Sequence, residues 1–425
     1  MLDLKFIKEN APAVKANIEN RFMNADVDEV LRLYDRRNAL ITETDELRRR
    51  RNENAQSMKG KLEPEVRQKL IAEGKSIKEA IAAKEAEETQ AKADLEAAAS
   101  LIPNMAHPDA PVGREDKDNS EVARHGEPTS FDFTPKDHTE LAEELDLIDF
   151  ESGAKVSGSK FYFLKNEAVL LELALTRYAL DILRKHGFTL TITPDIARNE
   201  IAEGIGFNPR GAESNIYALE GTDTCLVGTA EITLGGYHAG DIINLDEGPI
   251  LMAGLSHCFR REAGAAGQYS KGLYRVHQFS KVEMFAYCKA EESDALLERL
   301  RDIEVEIFEG LGIPFRIVDT CTGDLGAPAY RKYDLEAWMP GRGEGGDWGE
   351  VTSTSNCTDY QARRLGIRYK EEGKIRHAHT LNGTAIAVSR GLIAVLENGQ
   401  RADGSIAIPQ ALVPYCGFSE IPIRK

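Results

Sequence analysis

Residues 259–284 read FRREAGAAGQYSKGLYRVHQFSKVEM, and this stretch decides the fold. Its two ends are expected as strands, joined by a glycine- and alanine-rich loop of little bulk. Arg260 and Glu262 stand two apart, so an extended backbone puts both on one face. Arg275, His277, Phe279, Lys281 and Glu283 repeat that period in the second limb. Folded as a hairpin, the rows gather arginines, carboxylates and an aromatic ring on one sheet surface. A guanidinium fork donates two parallel bonds to phosphate. Carboxylates accept from an adenine amine or an ammonium group, and Phe279 offers a face on which a base can stack. A salt-bridged amphipathic hairpin explains the alternation, but not a polar face so uniformly suited to a nucleotide.

Around this hairpin, helices are expected at 166–186 and 292–311. They are interspersed with β-rich runs at 189–193, 248–255, 272–279, 282–287 and 380–388. No βα repeat of fixed length appears, which predicts an α+β domain on a mainly antiparallel sheet rather than a doubly wound one. GxxxxGK[ST] is absent. The GxGxxG at 341–346 is followed by the acidic, strand-like DWGEVTS instead of a helix, so it reads as a flexible loop rather than a dinucleotide site.

The first hundred residues differ in kind. From residue 27 to about 101 they read as two long helices. In the second, Leu70, Ile77, Lys84, Ala91 and Ala98 recur every seven residues, offset by four from Ile81, Glu88, Leu95 and Ile102. That 4-3 alternation is a coiled-coil seam, interrupted at Lys84 and Glu88. The first helix offers Leu33, Leu40 and Leu47 beside Val27, Tyr34 and Ile41. Gly60 and Pro64 supply the turn, because neither suits a helix interior. The expectation is an antiparallel hairpin of roughly 45 Å at 1.5 Å per residue. The chain is thus divided into a helical arm at 1–105, a Pro/Gly/Asp-rich linker at 106–135 with a short strand near 131–133, and the α+β domain at 136–425.

A chain of 425 residues has room for two or three such units and a buried site. The net charge of −17 argues at first against a nucleic-acid partner, but phosphate binding depends on local charge. Arg48, Arg49, Arg50, Arg51, Lys59 and Lys61, with Arg32, Arg36 and Arg37, form a basic stripe. It is either a solvated helix face or a phosphate-binding one. The six cysteines include no CxxC pair and read as reduced thiols. Zinc is not expected, and the HxH of His377 and His379 reads as an ordinary strand pair sharing one face. No signal-peptide pattern opens the chain, and the apolar run at 168–183 is broken by Glu172, Arg177 and Asp181. A cytoplasmic location without membrane contact is the expectation.

FRxEAGxxG followed by GLxRVHQFxKVE resembles motif 2 of class II aminoacyl-tRNA synthetases, in the form found in seryl-tRNA synthetases. Three further stretches resemble the same family. Gly228-Thr229-Ala230-Glu231 is similar to its TAE loop. Glu350-Val-Thr-Ser353-Thr-Ser-Asn-Cys is similar to its E-[IV]-S-S-x-S-N-C strand. Asn382-Gly383-Thr384, through Ser389-Arg390 to Leu396-Glu397-Asn398, is similar to motif 3 and continues into ADGSIAIPQALVPY. The likeness also covers the arm and LIPNMAHPDAPVG, hence essentially the whole chain.

The resemblance implies ATP-dependent activation of L-serine to seryl-adenylate and its transfer to the 3′ end of tRNA-Ser. Arg260 and Arg390 would be catalytic, gripping the α- and γ-phosphates. Glu262 would contact adenine and Phe279 stack on it, with Arg275 and the Val276 backbone holding the nucleotide. Glu350 and Ser353 would hold Mg²⁺ with ATP, and Thr229, Glu231, Glu283 and Thr384 would surround serine. The stretches at about 166–195, 256–285 and 380–400 correspond to motifs 1, 2 and 3, and motif 1 implies a homodimer. Arg48, Arg49, Arg50, Arg51 and Lys59 become the tRNA contacts, with the selenocysteine tRNA an open question. Two stretches depart from the pattern. The motif 2 loop usually reads close to GRDTRG where this chain has GQYSKG at 267–272, and Thr352 replaces a serine. A specialised or inhibitor-resistant paralogue, or a tRNA-independent serine-activating relative, are the alternatives.

Overall fold

A computed structural model describes residues 1–208, 214–263 and 269–424. The chain forms two compact units, Met1–Pro103 and Asn104–Lys425.

In the first unit, short helices Leu4–Glu9 and Ala11–Asn20 precede a hairpin of α1 (Val27–Ser57) and α2 (Pro64–Ser100). Asp26 starts α1 by accepting the Glu29 N–H, and Asp28 and Glu29 place negative charge in the first turn, where the helix dipole favours it. Gly60, at φ +108°, carries the turn, and Pro64 opens α2, where a missing N–H costs nothing. The pairs Lys84–Glu43 (2.9 Å), Arg48–Glu85 (2.9 Å) and Asn54–Glu73 (3.2 Å) make the helices antiparallel. On α2 the seam buries Ile77, Ile81, Ala91 and Leu95, as the heptad rows require, with Lys84 and Glu88 half-buried. On α1 it buries Val30, Leu33 and Leu40, and also Thr44 and Asn54, which the hydrophobic rows leave out. The arginine run is exposed. Arg48 pairs with Asp45 and Glu85, Arg49 with Glu46 and Glu53, and Arg50 with Glu73 at 4.0 Å. Such exposed pairs contribute little to stability and exchange readily for another anion.

The second unit is built on one eight-stranded sheet. Its strands are β1 (Ser120–His125), β2 (Thr189–Ile192), β3 (Ile250–Phe259), β4 (Gln278–Cys288), β5 (Phe315–Asp319), β6 (Arg331–Met339), β7 (Asp347–Asn356) and β8 (His379–Ala387). They lie in the order β1-β5-β6-β7-β8-β4-β3-β2, antiparallel throughout except that β2 runs parallel to β3. Four helices matter for the site: α3 (His138–Glu144), α4 (Glu167–Lys185), α5 (Ser293–Leu311) and α6 (Val388–Gly399). Leu171 and Leu175 of α4, Leu300 and Ile307 of α5 and Leu392 of α6 join Val282, Met284, Leu335 and Ile386 of the sheet in one core. Residues of β4 alternate with this packing. Val282, Met284 and Ala286 face the helices, while Phe285 and Tyr287 belong to a second core on the opposite face with Ile205, Leu234 and Tyr369. That second face carries the site.

Several expectations need correction. Residues 272–277 are not a strand; β4 is one strand from Gln278, because the ladder with β3 begins at the Gln278–Phe259 pair and Gly272 turns the chain at φ +55°. No strand forms at 131–133. Instead SEVARH, inside the stretch read as a linker, pairs with β5 and closes the edge of the sheet. His377 and His379 fall on two different strands, Lys374–His377 and β8. The six cysteines are free and buried, and among the described residues no helix is long and apolar enough to cross a membrane.

If the hairpin seam is a packed core, Leu95→Ala should remove about 2–5 kcal/mol from that unit. The readout is a lower urea midpoint for its helical circular-dichroism transition; an unchanged midpoint would mean the seam is not packed.

Candidate active site

On the second face of the sheet one cavity, about 710 Å³ counted to its mouth, is lined by every residue assigned above to nucleotide, serine or metal. Phe279 and Glu283, from the row on β4, line it together with Lys281, and Arg275 reaches it from the irregular segment before the strand. His277 does not line it. Its Nδ1 donates to the Arg260 carbonyl at 2.8 Å while the Arg260 N–H donates to the His277 carbonyl, so this histidine prolongs the ladder beyond the strand ends.

One end of the cavity is rich in guanidinium groups. Arg260 donates from Nε to the Gly228 carbonyl at 3.1 Å, and its guanidinium lies 5.4 Å from the centre of the Phe279 ring. Glu262 sits at φ +50°, and its carboxylate accepts from Arg275 at 3.3 Å. Arg275 Nε is buried without a protein acceptor, which leaves a donor for a ligand. Arg390, in the first turn of α6, donates to the Glu350 carbonyl at 2.9 Å and stacks 4.6 Å from the Tyr274 ring centre. Burial opposes ionisation of Glu350, but Arg390, Lys332, Arg260 and Arg275 outweigh it and hold its carboxyl below the usual range.

The other end is small and polar. Glu283 and Thr384 face each other across β4 and β8. Lys281 forms a buried ion pair with Glu283 and donates to the Thr384 hydroxyl at 3.4 Å, and that hydroxyl donates to Glu283 at 3.3 Å. Thr229 caps the short helix Ala230–Gly236 by accepting the Glu231 N–H. Glu231 accepts from Gln361 at 2.8 Å and from Asn382 at 3.0 Å. Burial, and then the charge of Glu283, push the Glu231 carboxyl up to about 7.

β7 brings Glu350 and Ser353 to the cavity wall. They are hard oxygen donors of the kind Mg²⁺ takes together with phosphate oxygens. Among the described residues no group of three or more His, Cys, Asp and Glu could hold a metal ion.

Lys281, Tyr274, Asn382 and Gln361 join the site beyond the residues that the sequence assigns to it. Lys281 stood in the period-two row and Asn382 in the NGT triplet, so a signal existed for both. Gln361 had none. Of the altered motif 2 loop, Gln268 lies outside the described residues, and Lys271 forms an ion pair with Asp137.

Residues 218–399 match the tRNA synthetase class II core domain (G, H, P, S and T), and residues 1–106 match the seryl-tRNA synthetase N-terminal domain. The chain is 70% identical over 422 residues to the serine–tRNA ligase of Treponema denticola, covering 99% of this chain and 100% of that one. Among solved structures it is similar to the seryl-tRNA synthetase of Pyrococcus horikoshii complexed with ATP, at TM-score 0.91 and 40% identity with both chains fully covered. It also resembles the cytoplasmic serine–tRNA ligase of Naegleria fowleri in complex with AMP, at TM-score 0.87 and 30% identity, covering 100% of this chain and 99% of that one. The fold is that of a class II synthetase core, and the chain belongs to the seryl-tRNA synthetase family.

Glu231 makes stability depend on pH. Its folded value of about 7 lies above the ordinary 4.5. The contribution is therefore complete below about 4.5 and is lost as the pH rises through about 7. Glu231→Gln removes that titration while keeping an oxygen for Gln361 and Asn382. The melting temperature of the variant should gain on that of the parent between these pH values; a constant difference would contradict the buried-carboxyl reading.

Proposed function

We propose that this chain activates L-serine with ATP and delivers it to tRNA-Ser in the cytoplasm. The observation that carries this reading is the two-ended cavity. It sets guanidinium groups suited to a triphosphate beside a buried Lys281–Glu283–Thr384 cluster suited to a small amino acid.

Adenine stacks on Phe279 and meets Glu262, while Arg260 and Arg390 hold the α- and γ-phosphates. Glu231 and Glu283 receive the serine ammonium, and Thr229 and Thr384 help surround the side chain. An amino acid lacking the hydroxyl would leave buried polar groups unpaired, which is the physical basis of selectivity. The serine carboxylate then attacks the α-phosphorus in line, and pyrophosphate leaves with the electrons of the broken P–O bond. Mg²⁺ bound through Glu350 and Ser353 would supply further charge neutralisation to the triphosphate. The terminal 3′-hydroxyl of tRNA attacks the acyl carbon next, releasing AMP. The protein contributes position and fixed positive charge, with no covalent enzyme intermediate.

Serine-dependent pyrophosphate exchange, run beside aminoacylation of tRNA-Ser, tests the reading. Both activities are expected; exchange without charging would favour a tRNA-independent activator, and neither would contradict the proposal. The arginine run of α1 serves the tRNA through phosphate contacts. Replacing Arg49, Arg50 and Arg51 by alanine should leave exchange intact, weaken tRNA binding and flatten its log–log salt slope by about one unit per lost phosphate contact. Unchanged affinity and slope would exclude the stripe from tRNA binding.

A homodimer completes the proposal. β2 ends the sheet, and its Ile192 is 83% exposed; on α4, which packs against β2, Leu173 is 62% exposed, with Val169 and Leu170 also uncovered. An apolar sheet edge of this kind invites a partner. Ile192→Asp should shift sedimentation toward the monomer; a monomeric parent protein would refute the dimer.

A further inference from the structure

The loop at 341–346 and the histidine at 138 take no part in the reaction above, yet they meet at one buried point. His138 is fully buried in the first turn of α3, and its Nδ1 lies 2.8 Å from Glu397 Oε1. The same oxygen accepts the His138 backbone N–H at 3.0 Å, and the second oxygen of Glu397 accepts the Gly341 N–H at 2.9 Å. On the far side of the ring, the Leu273 amide nitrogen lies 3.1 Å from Nε2. An amide N–H only donates, so Nε2 accepts and Nδ1 carries the proton directed at Glu397. Both ring nitrogens are thereby committed to one tautomer and one orientation.

The neighbouring contacts grip the same piece of chain. Asp137, whose carboxylate caps α3, forms an ion pair with Lys271. Gly272 passes so close that a Cβ would stand 2.1 Å from His138 Nε2. Residues 271–273 are thus held in succession by Asp137 and His138, and the next three, Tyr274, Arg275 and Val276, form cavity wall. Tyr274 in turn stacks with Arg390. Glu397 lies on α6, the helix that carries Arg390. The histidine therefore bridges the two cation-bearing elements of the nucleotide end.

We infer that His138 is a positioning residue for ATP: its bond to the Leu273 amide sets the 274–276 wall, and its bond to Glu397 ties that wall to the helix of Arg390. The inference rests on the reading that this cavity takes ATP. It assigns no contact with substrate, and it gives Lys271, a departure from the usual loop, a role within the protein. The serine end, built from β4, β8 and the Ala230–Gly236 helix, does not pass through this clasp, so the effect should be confined to the nucleotide.

Two substitutions separate the bonds. His138→Asn can still donate to Glu397 but leaves the buried Leu273 N–H without its acceptor. His138→Gln is long enough to return an acceptor to that N–H. The dissociation constant for ATP is measured by calorimetry, the KM for serine by exchange at saturating ATP, and the melting temperature without ligands. His138→Asn should weaken ATP about tenfold, leave the serine KM within about a factor of two, and lower the melting temperature modestly, as one unmet buried N–H requires. His138→Gln should recover part of the ATP affinity, since it restores the acceptor for Leu273 but not the side-chain bond to Glu397. Unchanged ATP affinity in His138→Asn overturns the inference, as does a parallel loss for ATP and serine or a loss that glutamine does not rescue.

Should His138→Asn fail to fold, Gly272→Ala breaks the same contact from the other side and must show the same split, with normal ATP binding overturning the inference. A parent protein that binds ATP but shows no serine-dependent exchange would instead refute the proposed reaction, leaving the ATP measurement to decide the clasp.

Discussion

The register of one strand governs the architecture of the site. β4 lies between β3 and β8, with Phe279 opposite Cys258, and Glu283 opposite Gly254 on one side and Thr384 on the other. Because side chains alternate, a shift of one residue would turn Phe279, Lys281 and Glu283 into the helical core and send Val282 and Met284 into the cavity. The apolar partners of α4, α5 and α6 exclude that outcome, since it would bury a charged pair among leucines and isoleucines. Hydrophobic burial on one face therefore fixes where the charged groups on the other face stand. The irregularity in the β8 ladder between Val282 and Glu283 falls within the serine end, where it accompanies the pairing of Glu283 with Thr384.

Charge is distributed along the cavity according to the same constraint. At the nucleotide end Glu350 stays ionised because four cations surround it, whereas at the other end burial and the charge of Glu283 push Glu231 upward. Two carboxylates in one cavity thus take opposite shifts, one set by surrounding cations and the other by burial and a neighbouring carboxylate. An incoming ammonium favours the ionised form of Glu231, so serine binding near neutral pH should release a proton. At the far end Arg260 is held by the Gly228 carbonyl and the Phe279 ring, whereas Arg275 pairs with Glu262 and Arg390 with Glu350 at 3.4 Å as well as with carbonyls and the Tyr274 ring.

Much of this was legible in the sequence because both periodicities are short-range. The seven-residue rows of α2 mark its buried seam, and the two-residue row of β4 marks the cavity wall. Reading failed where tertiary context decides. Thr44 and Asn54 enter the seam of α1 although their polarity argues otherwise, and Asn54 does so with Glu73 as a partner. Arg275 carries the right chemistry but stands before the strand, since alternation cannot reveal where a ladder stops. SEVARH is too polar to read as a strand and becomes one as an exposed edge paired on a single side. Gln361 reaches Glu231 from a distant helix with no local pattern to announce it. Of the glycines in 341–346, Gly341 and Gly346 are required by close packing, while Gly343 and Gly345 have open space around them and take positive φ. A Cβ at Gly341 would meet Asp137 at 2.4 Å, and its N–H is needed by Glu397.

The central claim is that the buried Lys281–Glu283–Thr384 cluster and the adjacent Glu231 read serine while the guanidinium end reads an adenosine phosphate. It is tested most directly by calorimetry with a non-hydrolysable seryl-adenylate analogue and its alanyl counterpart, which differs by one hydroxyl. The seryl compound should bind far more tightly than serine or ATP alone, and loss of the hydroxyl should weaken it by at least about a hundredfold. Equal affinity for the two compounds would contradict the account.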